Sequence, residues 1–317
     1  MTNTYLYSLD MLIMNNLEGR FMEIKTLQYF VRIAKEESIT RAANALHITQ
    51  PTLSRQIKDL ETELDVKLFK RSNHNIHLTD EGLLLKNRAE ELIEMSQKIQ
   101  EEFKVIDKNI EGNVYIGCGE TKGMEVIANI FKEIQIHHPK VHFHIYSGNA
   151  EDIASRLDKG LLDFGLLIQP VNLNKYKALD LPTFDHWGVI AKKGDPLSEK
   201  DYVTKTDLSK EALICSRQVL ETDIEENEFA EWFGHLYKDL NIVSTFNLAY
   251  NAGWMVKANM GYVVTLDSIV NTSVESNLKF TPLEPKLIAK HNLVWRKDHT
   301  FSKAAQTFLE KAIESCR

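Results

Sequence analysis

Hydrogen-bonding and cationic side chains cluster on one side of a predicted helix that begins near Gln50. At about 100° per residue, this helix has a polar arc and an opposite apolar arc. The polar arc comprises Pro51, Arg55, Lys58 and Thr62 with Thr52 and Ser54 at its flanks, and the apolar arc comprises Leu53, Ile57, Leu60 and Leu64. Hydroxyl, guanidinium and ammonium groups on an exposed helix can bind phosphates and base edges. The pattern therefore predicts a helix that reads double-stranded DNA.

A second, shorter helix must hold this one in place, and the preceding residues have the required pattern. Ser38 is a predicted N-cap, and a turn is predicted at residues 47–49. Small residues that allow two helices to approach closely follow the cap: Ala42, Ala43 and Leu46. Two short helices joined in this way are typical of a helix-turn-helix, here Ile39 to Lys58. An ordinary helical hairpin inside a larger core is the alternative.

A predicted two-stranded ribbon follows the helix pair. Ile76 and Leu78 alternate with polar residues at the strand period of two. Such a ribbon, or wing, can place Arg71 and His74 against phosphates or in the minor groove, where the negative potential is strongest.

The next segment, Asp80 to Ile106, is predicted to form one long helix. Its apolar positions repeat with spacings that alternate between four and three residues, and Ser96 occupies one position of this repeat. They are Leu85, Ala89, Leu92, Ile99, Phe103 and Ile106. This seam predicts a coiled coil with a second copy of the helix, and a single helix packed on its own domain is the alternative.

From Asn113 onward the pattern alternates between strands and helices, which predicts an α/β fold with parallel strands. The predicted strands are 113–119, 141–146, 163–168, 187–192, 212–216, 242–248, 262–266 and 290–296. The predicted helices are 124–137, 151–159, 223–237, 250–260 and 301–316. The last strand and helix return to the first lobe, so two connections cross between two lobes and form a hinge.

From Met22 to about Phe103 the chain resembles the DNA-binding domain and linker of the LysR-type transcriptional regulators of bacteria. The matching segments are residues 27–31, 38–43, 50–57, 60–61, 68–71 and 78–82. The resemblance implies a winged helix-turn-helix that binds an inverted-repeat promoter site as a homodimer or homotetramer, with RNA polymerase as a further partner. His74 departs from the arginine usual in this wing, which makes minor-groove contact weaker or more sensitive to pH.

The residues expected to contact DNA share a polar or cationic side chain near the helix pair or the wing, apart from Pro51. They are Thr40, Arg41, Thr49, Gln50, Pro51, Thr52, Ser54, Arg55, Lys58, Arg71 and His74. Residues 22–79 carry nine Lys and Arg against seven Asp and Glu, a net charge of +2, within a chain of net charge −7. Because +2 is modest, affinity should depend on a few directed cations and on dimerisation.

The second half resembles, more loosely, the effector-binding domain of the same family, a two-lobed α/β fold similar to type 2 periplasmic binding proteins. The resemblance implies a small-molecule effector between the lobes, near strand C-termini and helix N-termini. The matching positions are Glu120, Thr121, Lys122, Ser147, Gly148, Asn149, Gln169, Pro170, Ser216, Arg217 and Thr265. Thr121 matches a hydroxyl residue that often holds effector carboxylates. Lys122 and Arg217 suggest an anionic effector, although Glu120 beside Lys122 weakens that inference.

The domain boundaries that follow are an extension at 1–21, a DNA-binding domain at 22–79, a linker at 80–107 and an effector domain at 113–317. Lobe I is expected at about 113–184 and 286–317, and lobe II at about 185–285. The resemblance begins at Met22, so we expect Met22 to be the true start of translation. The chain has no long apolar run and no signal peptide pattern, which predicts a cytoplasmic protein without membrane contact.

Motifs of several enzyme classes do not appear. Gly117, Gly119 and Gly123 lack the spacing of a dinucleotide fingerprint, and no P-loop, nucleophile elbow or HExxH is present. The histidines at 137, 138, 142 and 144 indicate a solvated surface more than a metal site. We expect no enzyme activity, cofactor or metal.

The three cysteines, Cys118, Cys215 and Cys316, are odd in number and far apart, which predicts no disulfide framework. The favoured interpretation is that they are small, partly buried residues, and a redox sensor is the alternative.

Overall fold

The computed structural model describes residues 22–72, 75–104, 110–221 and 227–316. The chain divides into two compact units, Met1–Gln100 and Glu101–Arg317. The N-terminal extension at 1–21, His74 and Ile106 lie outside the described residues. None of the described helices is both long enough and apolar enough to cross a membrane.

The N-terminal unit begins with three helices, α1 (Ile24–Glu36), α2 (Ile39–Ala45) and α3 (Gln50–Glu63). The predicted caps are present, because Ser38 Oγ accepts a hydrogen bond from the Arg41 N–H and Thr49 Oγ1 accepts one from the Thr52 N–H. Pro51 lies in the first turn of α3, where a missing N–H removes no helical bond. The helix-turn-helix is therefore formed as the sequence predicts.

The inner faces of these helices build one apolar core. Its fully buried residues include Leu27, Phe30, Ala42, Ala43, Leu53, Ile57 and Leu60. The prediction was wrong for Leu64, which is 37% exposed. Helix α3 ends at Glu63, so Leu64 is its C-cap residue, and the chain turns away at Asp65 in a left-handed conformation with φ of 51°.

Strands β1 (Phe69–Ser72) and β2 (Asn75–Leu78) pair antiparallel and form the predicted wing. Glu61 of α3 holds the first strand, because its carboxylate accepts hydrogen bonds from the backbone N–H groups of Leu68 at 2.9 Å and Phe69 at 3.3 Å. Partial burial raises the pKa of Glu61, but these bonds and the Lys67 ammonium outweigh burial and lower it overall. The charged carboxylate thus joins α3 to the wing.

Helix α4 (Asp80–Lys104) starts directly after the wing, where Thr79 Oγ1 accepts a hydrogen bond from the Gly82 N–H at 2.9 Å. The predicted seam is divided. Ala89 is buried and Leu85 is partly buried in the core of the N-terminal unit, whereas Leu92 and Ile99 are 45% and 47% exposed. The first turns of the seam therefore pack on their own domain, which is the alternative interpretation for that part.

The C-terminal unit contains a mixed sheet with the strand order β4, β3, β5, β11, β6, β9, β7, β8, with β10 paired to β6. The strands are β3 (Gly112–Cys118), β4 (Val141–Ser147), β5 (Phe164–Ile168), β6 (Tyr176–Lys192), β7 (Ala212–Ser216), β8 (Asn241–Phe246), β9 (Tyr262–Leu266), β10 (Leu278–Pro282) and β11 (Ile288–Arg296). The helices are α5 (Met124–His137), α6 (Ala150–Asp158), α7 (Lys205–Leu208), α8 (Arg217–Glu221), α9 (Glu228–Phe233), α10 (Ala252–Lys257) and α11 (Lys303–Ser315).

Two lobes share this sheet and meet at β6 and β11. In lobe I, β3 pairs parallel with β4 and β5, and in lobe II, β7 pairs parallel with β8 and β9. Strand β6 pairs antiparallel with β11 through its first half and with β9 through its second half. A single long strand therefore runs from one lobe into the other, where the sequence predicted only the segment 187–192.

The helix predicted at 223–237 is wrong as one element. Helix α8 ends at Glu221, before the predicted segment. Helix α9 begins at Glu228, because the Asn227 side chain caps it by accepting hydrogen bonds from the N–H groups of Phe229 and Ala230. Gly234, with φ of 62°, ends α9, and a 3-10 turn over Gly234–Asp239 follows. Residues 222–226 lie outside the described part of the chain.

We predict that Gly82→Ala destabilises the N-terminal unit by about 1–3 kcal/mol. Alanine favours a helix over glycine by about 1 kcal/mol. A Cβ at this position, however, would lie 2.2 Å from the Leu68 carbonyl oxygen, which belongs to the backbone and cannot move aside cheaply. Urea unfolding of the full chain, followed by circular dichroism, measures the change.

Glu81→Ala is the matched control, because Glu81 is exposed on the same turn of α4. Its unfolding free energy should stay within about 0.5 kcal/mol of the wild type. An increase in stability for Gly82→Ala would contradict the close packing of α4 against the wing.

Candidate DNA interface and ligand cleft

The outer face of α3 is available to a large partner. Gln50, Pro51, Arg55 and Lys58 are exposed, and Ser54 is half-buried. The Arg55 side chain is 83% exposed, and its closest ionic partner is Asp59 one turn later at 3.9 Å. An exposed ion pair of this length contributes little to stability, so the guanidinium can exchange Asp59 for a base or a phosphate at small cost.

Other predicted DNA contacts are already engaged within the domain. The hydroxyls of Thr49 and Thr52 lie 2.8 Å apart, and Thr49 also caps α3. The Arg41 guanidinium donates to the Glu36 carbonyl oxygen at the end of α1, so Arg41 fixes α2 against α1. Thr40 is exposed, and the side chains of Arg71 and His74 lie outside the described residues.

A cleft lies between the two lobes of the C-terminal unit. Six of the residues predicted from strand ends line it: Glu120, Gly148, Asn149, Gln169, Ser216 and Thr265. Apolar walls with a few polar groups are typical of small-molecule sites. Asn149 Oδ1 also accepts a hydrogen bond from the Asp152 N–H and so caps α6 at the cleft.

The other five predicted residues, Thr121, Lys122, Ser147, Pro170 and Arg217, are not among the residues that line this cleft. Lys122 forms an ion pair with Asp267, and Arg217 forms one with Glu151 at 3.8 Å. The two cations that suggested an anionic effector therefore lie outside the lining of the cleft.

Thr121 belongs instead to a buried polar network between β6 and β11. Its hydroxyl donates to Asp185 Oδ2 at 2.6 Å and lies 2.7 Å from His291 Nε2. Because a carboxylate can only accept, the His291 Nε2–H donates to Asp185 at 3.0 Å, while Nδ1 faces the Thr183 hydroxyl at 2.9 Å. Asp185 and His291 are both 0% exposed. Thr121 therefore lies in the polar network where β6 and β11 meet, outside the lining of the cleft.

Several residues of the cleft escaped the sequence analysis. Gln218 and Asn247 are polar, whereas Trp187, Phe246, Leu248 and Ile269 form apolar walls. Asn247 directly follows β8, but the sequence predicted this strand to continue to residue 248, which placed Asn247 inside it. The apolar residues carried no signal, because in sequence they are indistinguishable from core positions.

Two sets of hydrogen bonds join the lobes across the cleft. Glu120 Oε2 of lobe I accepts from the Ala249 N–H of lobe II at 2.7 Å. Gln218 Nε2 of lobe II donates to the carbonyl oxygens of Ile168 at 3.0 Å and Pro170 at 2.9 Å in lobe I. The lobes are therefore held together by directed polar contacts.

The cysteines are free thiols, and two of them are buried. Burial raises the pKa of Cys118 to about 12 and that of Cys215 to about 12. Because the thiolate is the nucleophile in peroxide and alkylation chemistry, both thiols are protonated and inert near neutral pH. No group of three or more metal-ligating side chains occurs in the described ranges.

Two family models match this chain. The model described as "Bacterial regulatory helix-turn-helix protein, lysR family" matches residues 24–83, and "LysR substrate binding domain" matches residues 108–317. The first match covers α1 to the start of α4, and the second covers every described residue of the two-lobed fold.

Individual proteins agree with the family models. The chain is 26% identical over 297 residues to the "Uncharacterized HTH-type transcriptional regulator YvbU" of Bacillus subtilis, covering 92% of this chain and 98% of that protein. It is 29% identical over 194 residues to a "Hydrogen peroxide-inducible genes activator" of Dickeya chrysanthemi, covering 61% and 63%. The crystal structure of CbnR, a LysR family regulator, has the same fold, with a TM-score of 0.71, 16% identity and coverage of 93% and 100%.

We predict that Thr121→Val lowers the free energy of unfolding by about 1–3 kcal/mol, because it removes one donor from a buried carboxylate. Valine has nearly the same volume as threonine, so the loss reports the hydrogen bonds and not a cavity. Thr206→Val, at an exposed position of α7, is the control and should change stability by less than about 0.5 kcal/mol. Equal stability of the two variants in urea unfolding would refute the network.

We also predict that iodoacetamide near pH 8 alkylates Cys118 and Cys215 slowly in the native chain. The pKa of each thiol rises from 9.0 to about 12 in the fold. This shift lowers the thiolate fraction at a given pH by roughly 1000-fold. Cys316, which is only partly buried, should react faster, and urea should abolish the difference. Mass spectrometry of the modified peptides gives the rates, and fast modification of Cys215 in the native chain would contradict this account.

Proposed function

This chain belongs to the LysR family of bacterial transcriptional regulators, and we propose that it reads its operator mainly through the exposed arc of α3. The family makes it a DNA-binding regulator with an effector-binding domain. The observation that carries the proposal is that Gln50, Arg55 and Lys58 are exposed and have no strong internal partner in the described structure. Arginine and glutamine are the side chains that bind guanine and adenine edges with two hydrogen bonds.

We divide the residues predicted to contact DNA by the part of the DNA that each would bind. Gln50, Ser54 and Arg55 supply base contacts, whereas Lys58 and the N-terminal turn of α3 with Pro51 bind phosphate. Thr49, Thr52 and Arg41 position the helices, and Thr40, Arg71 and His74 are proposed as phosphate or minor-groove contacts. This division assigns sequence selectivity to few side chains, consistent with the small net positive charge of residues 22–79.

The oligomer proposed is a homodimer, or a tetramer built from dimers, on an inverted repeat. The exposed apolar residues Leu92 and Ile99 of α4 support this oligomer, because an isolated helix would leave them in water.

The proposed domain boundaries place the linker at 80–107, between a DNA-binding domain at 22–79 and an effector domain at 113–317. RNA polymerase is a proposed partner at the promoter. Binding to chromosomal DNA implies a cytoplasmic location.

The regulatory signal proposed is a small molecule in the cleft between lobe I (113–184 and 286–317) and lobe II (185–285). Glu120, Gly148, Asn149, Gln169, Ser216 and Thr265 are the proposed contacts from the sequence analysis, to which Gln218 and Asn247 are added. Occupancy of the cleft is proposed to alter the geometry of the bound DNA. We propose no enzymatic activity.

A response to peroxide, which the name of the Dickeya chrysanthemi relative states for that protein, is not proposed here. A peroxide sensor needs an accessible thiol with a low pKa. Cys118 and Cys215 are buried, and the pKa of each is raised to about 12, which is the opposite condition.

We predict that Arg55→Ala weakens binding to the operator by about 1–3 kcal/mol and relaxes base preference, because it removes a base contact. Operator fragments selected from the source genome by the full-length protein provide the DNA. Fluorescence anisotropy then compares an intact inverted repeat, a single half-site and a scrambled sequence over a series of salt concentrations.

Lys58→Ala and Lys238→Ala are the matched controls, since each removes one exposed cation. Lys58→Ala should weaken binding to all sequences alike and reduce the salt dependence by about one ion, whereas Lys238→Ala, in lobe II, should change neither. Undiminished selectivity of Arg55→Ala would overturn the proposed reading face, and equal affinity for half-site and inverted repeat would overturn the dimer.

A further inference from the structure

The charge of the cleft is set by one side chain. Glu120 is the only ionisable residue among the described residues that line it. The neighbouring cations Lys122 and Arg217 do not line the cleft, and Lys122 forms an ion pair with Asp267. An anion entering the cleft would therefore meet a fixed negative charge and no lysine or arginine.

The Glu120 carboxylate keeps unused capacity for a donor. Its Oε2 accepts from the Ala249 N–H, while Oε1 accepts no hydrogen bond from the residues that the structure describes. A carboxylate has about four acceptor sites, so a ligand ammonium can bind it without breaking the existing bond. Charge-assisted hydrogen bonds of this kind are roughly twice as strong as neutral ones.

The walls of the cleft suit the remainder of such a ligand. Trp187 and Phe246 supply aromatic surface, and Leu248, Ile153 and Ile269 supply aliphatic surface. Aromatic rings attract ammonium groups and pack against apolar bodies. The lining thus combines one carboxylate with aromatic and aliphatic side chains, which is the composition of a site for an amphipathic cation.

The helix that begins at the cleft does not reverse this preference. The N-terminus of α6 carries a partial positive charge, which by itself would favour an anion. Its first turn contains Glu151 and Asp152, and the Asn149 side chain already accepts the Asp152 N–H. The acidic side chains compensate the dipole within the protein.

We propose that the cleft binds an organic cation, an amine attached to an apolar body, with the ammonium donating to Glu120. The inference depends on the proposed function, in that it assigns the chemical class of the molecule received by the same cleft. It replaces the anion suggested by Lys122 and Arg217 in the sequence.

Three probes with one aromatic body and different charge test the proposal: 2-phenylethylammonium, 2-phenylethanol and 3-phenylpropionate. Isothermal titration of the full-length protein without DNA, with each probe up to millimolar concentration, measures binding. The ammonium should bind at least tenfold more tightly than the carboxylate, with the alcohol between them.

Glu120→Gln should abolish this preference, since the amide can still accept from the Ala249 N–H but has no charge. Glu120→Lys is the second variant and should favour the carboxylate probe. Glu125→Gln, an exposed acid in the first turn of α5 that does not line the cleft, is the matched control and should retain the wild-type order. Thermal unfolding of each variant identifies any that fails to fold.

Equal or tighter binding of 3-phenylpropionate by the wild type, a cation preference that persists in Glu120→Gln, or no binding of the ammonium probe would each overturn the proposal. These results are independent of DNA. A protein that selects no operator would overturn the proposed function while the titrations still report the cleft, and a protein with intact operator selectivity but no cation preference would overturn only this inference.

Discussion

The buried carboxylate of Asp185 is the interaction on which the two-lobed half of the molecule depends. A carboxyl group with 0% exposure is costly to bury unless hydrogen-bond donors surround it, and Asp185 accepts from the Thr121 hydroxyl, the Lys122 N–H and the His291 ring. These donors come from the loop after β3 and from β11, whereas Asp185 lies on β6. The need to satisfy one carboxylate therefore fixes three elements at the point where the lobes meet, and the cleft takes its shape from that fixed hinge.

In the N-terminal unit, too, side-chain oxygens that accept hydrogen bonds join neighbouring elements. Glu61 accepts from two backbone N–H groups of the wing strand and from Lys67, and Thr79 accepts from the first turn of α4. The recognition helix, the wing and the linker helix are thus joined by side chains that occur close together in the sequence. Local bonds of this type leave Gln50, Arg55 and Lys58 exposed on the outer face of α3, which is the surface proposed to read DNA.

The sequence predicted best what depends on short-range periodicity. The two arcs of α3, its caps and the wing strands are visible because each repeats within a few residues, and Leu64 failed only because the helix ends one residue before it. The first half of β6 was missed because polar and apolar residues alternate irregularly there. Thr121 was expected at the cleft because it matches a hydroxyl residue of the family, but its hydrogen-bond partners Asp185 and His291 are 64 and 170 residues away in the chain, and no local pattern encodes them. The charge of the cleft was likewise obscured, because the pairing of Lys122 and Arg217 with carboxylates is a tertiary property.

The hydrogen bonds from Gln218 to the carbonyl oxygens of Ile168 and Pro170 bias the hinge. Any motion that separates the two lobes must break them and return these groups to water. A molecule in the cleft can therefore shift the lobes only by as much as its affinity differs between the closed and the separated arrangements. Gln218 thus sets the reference state from which any such shift is measured.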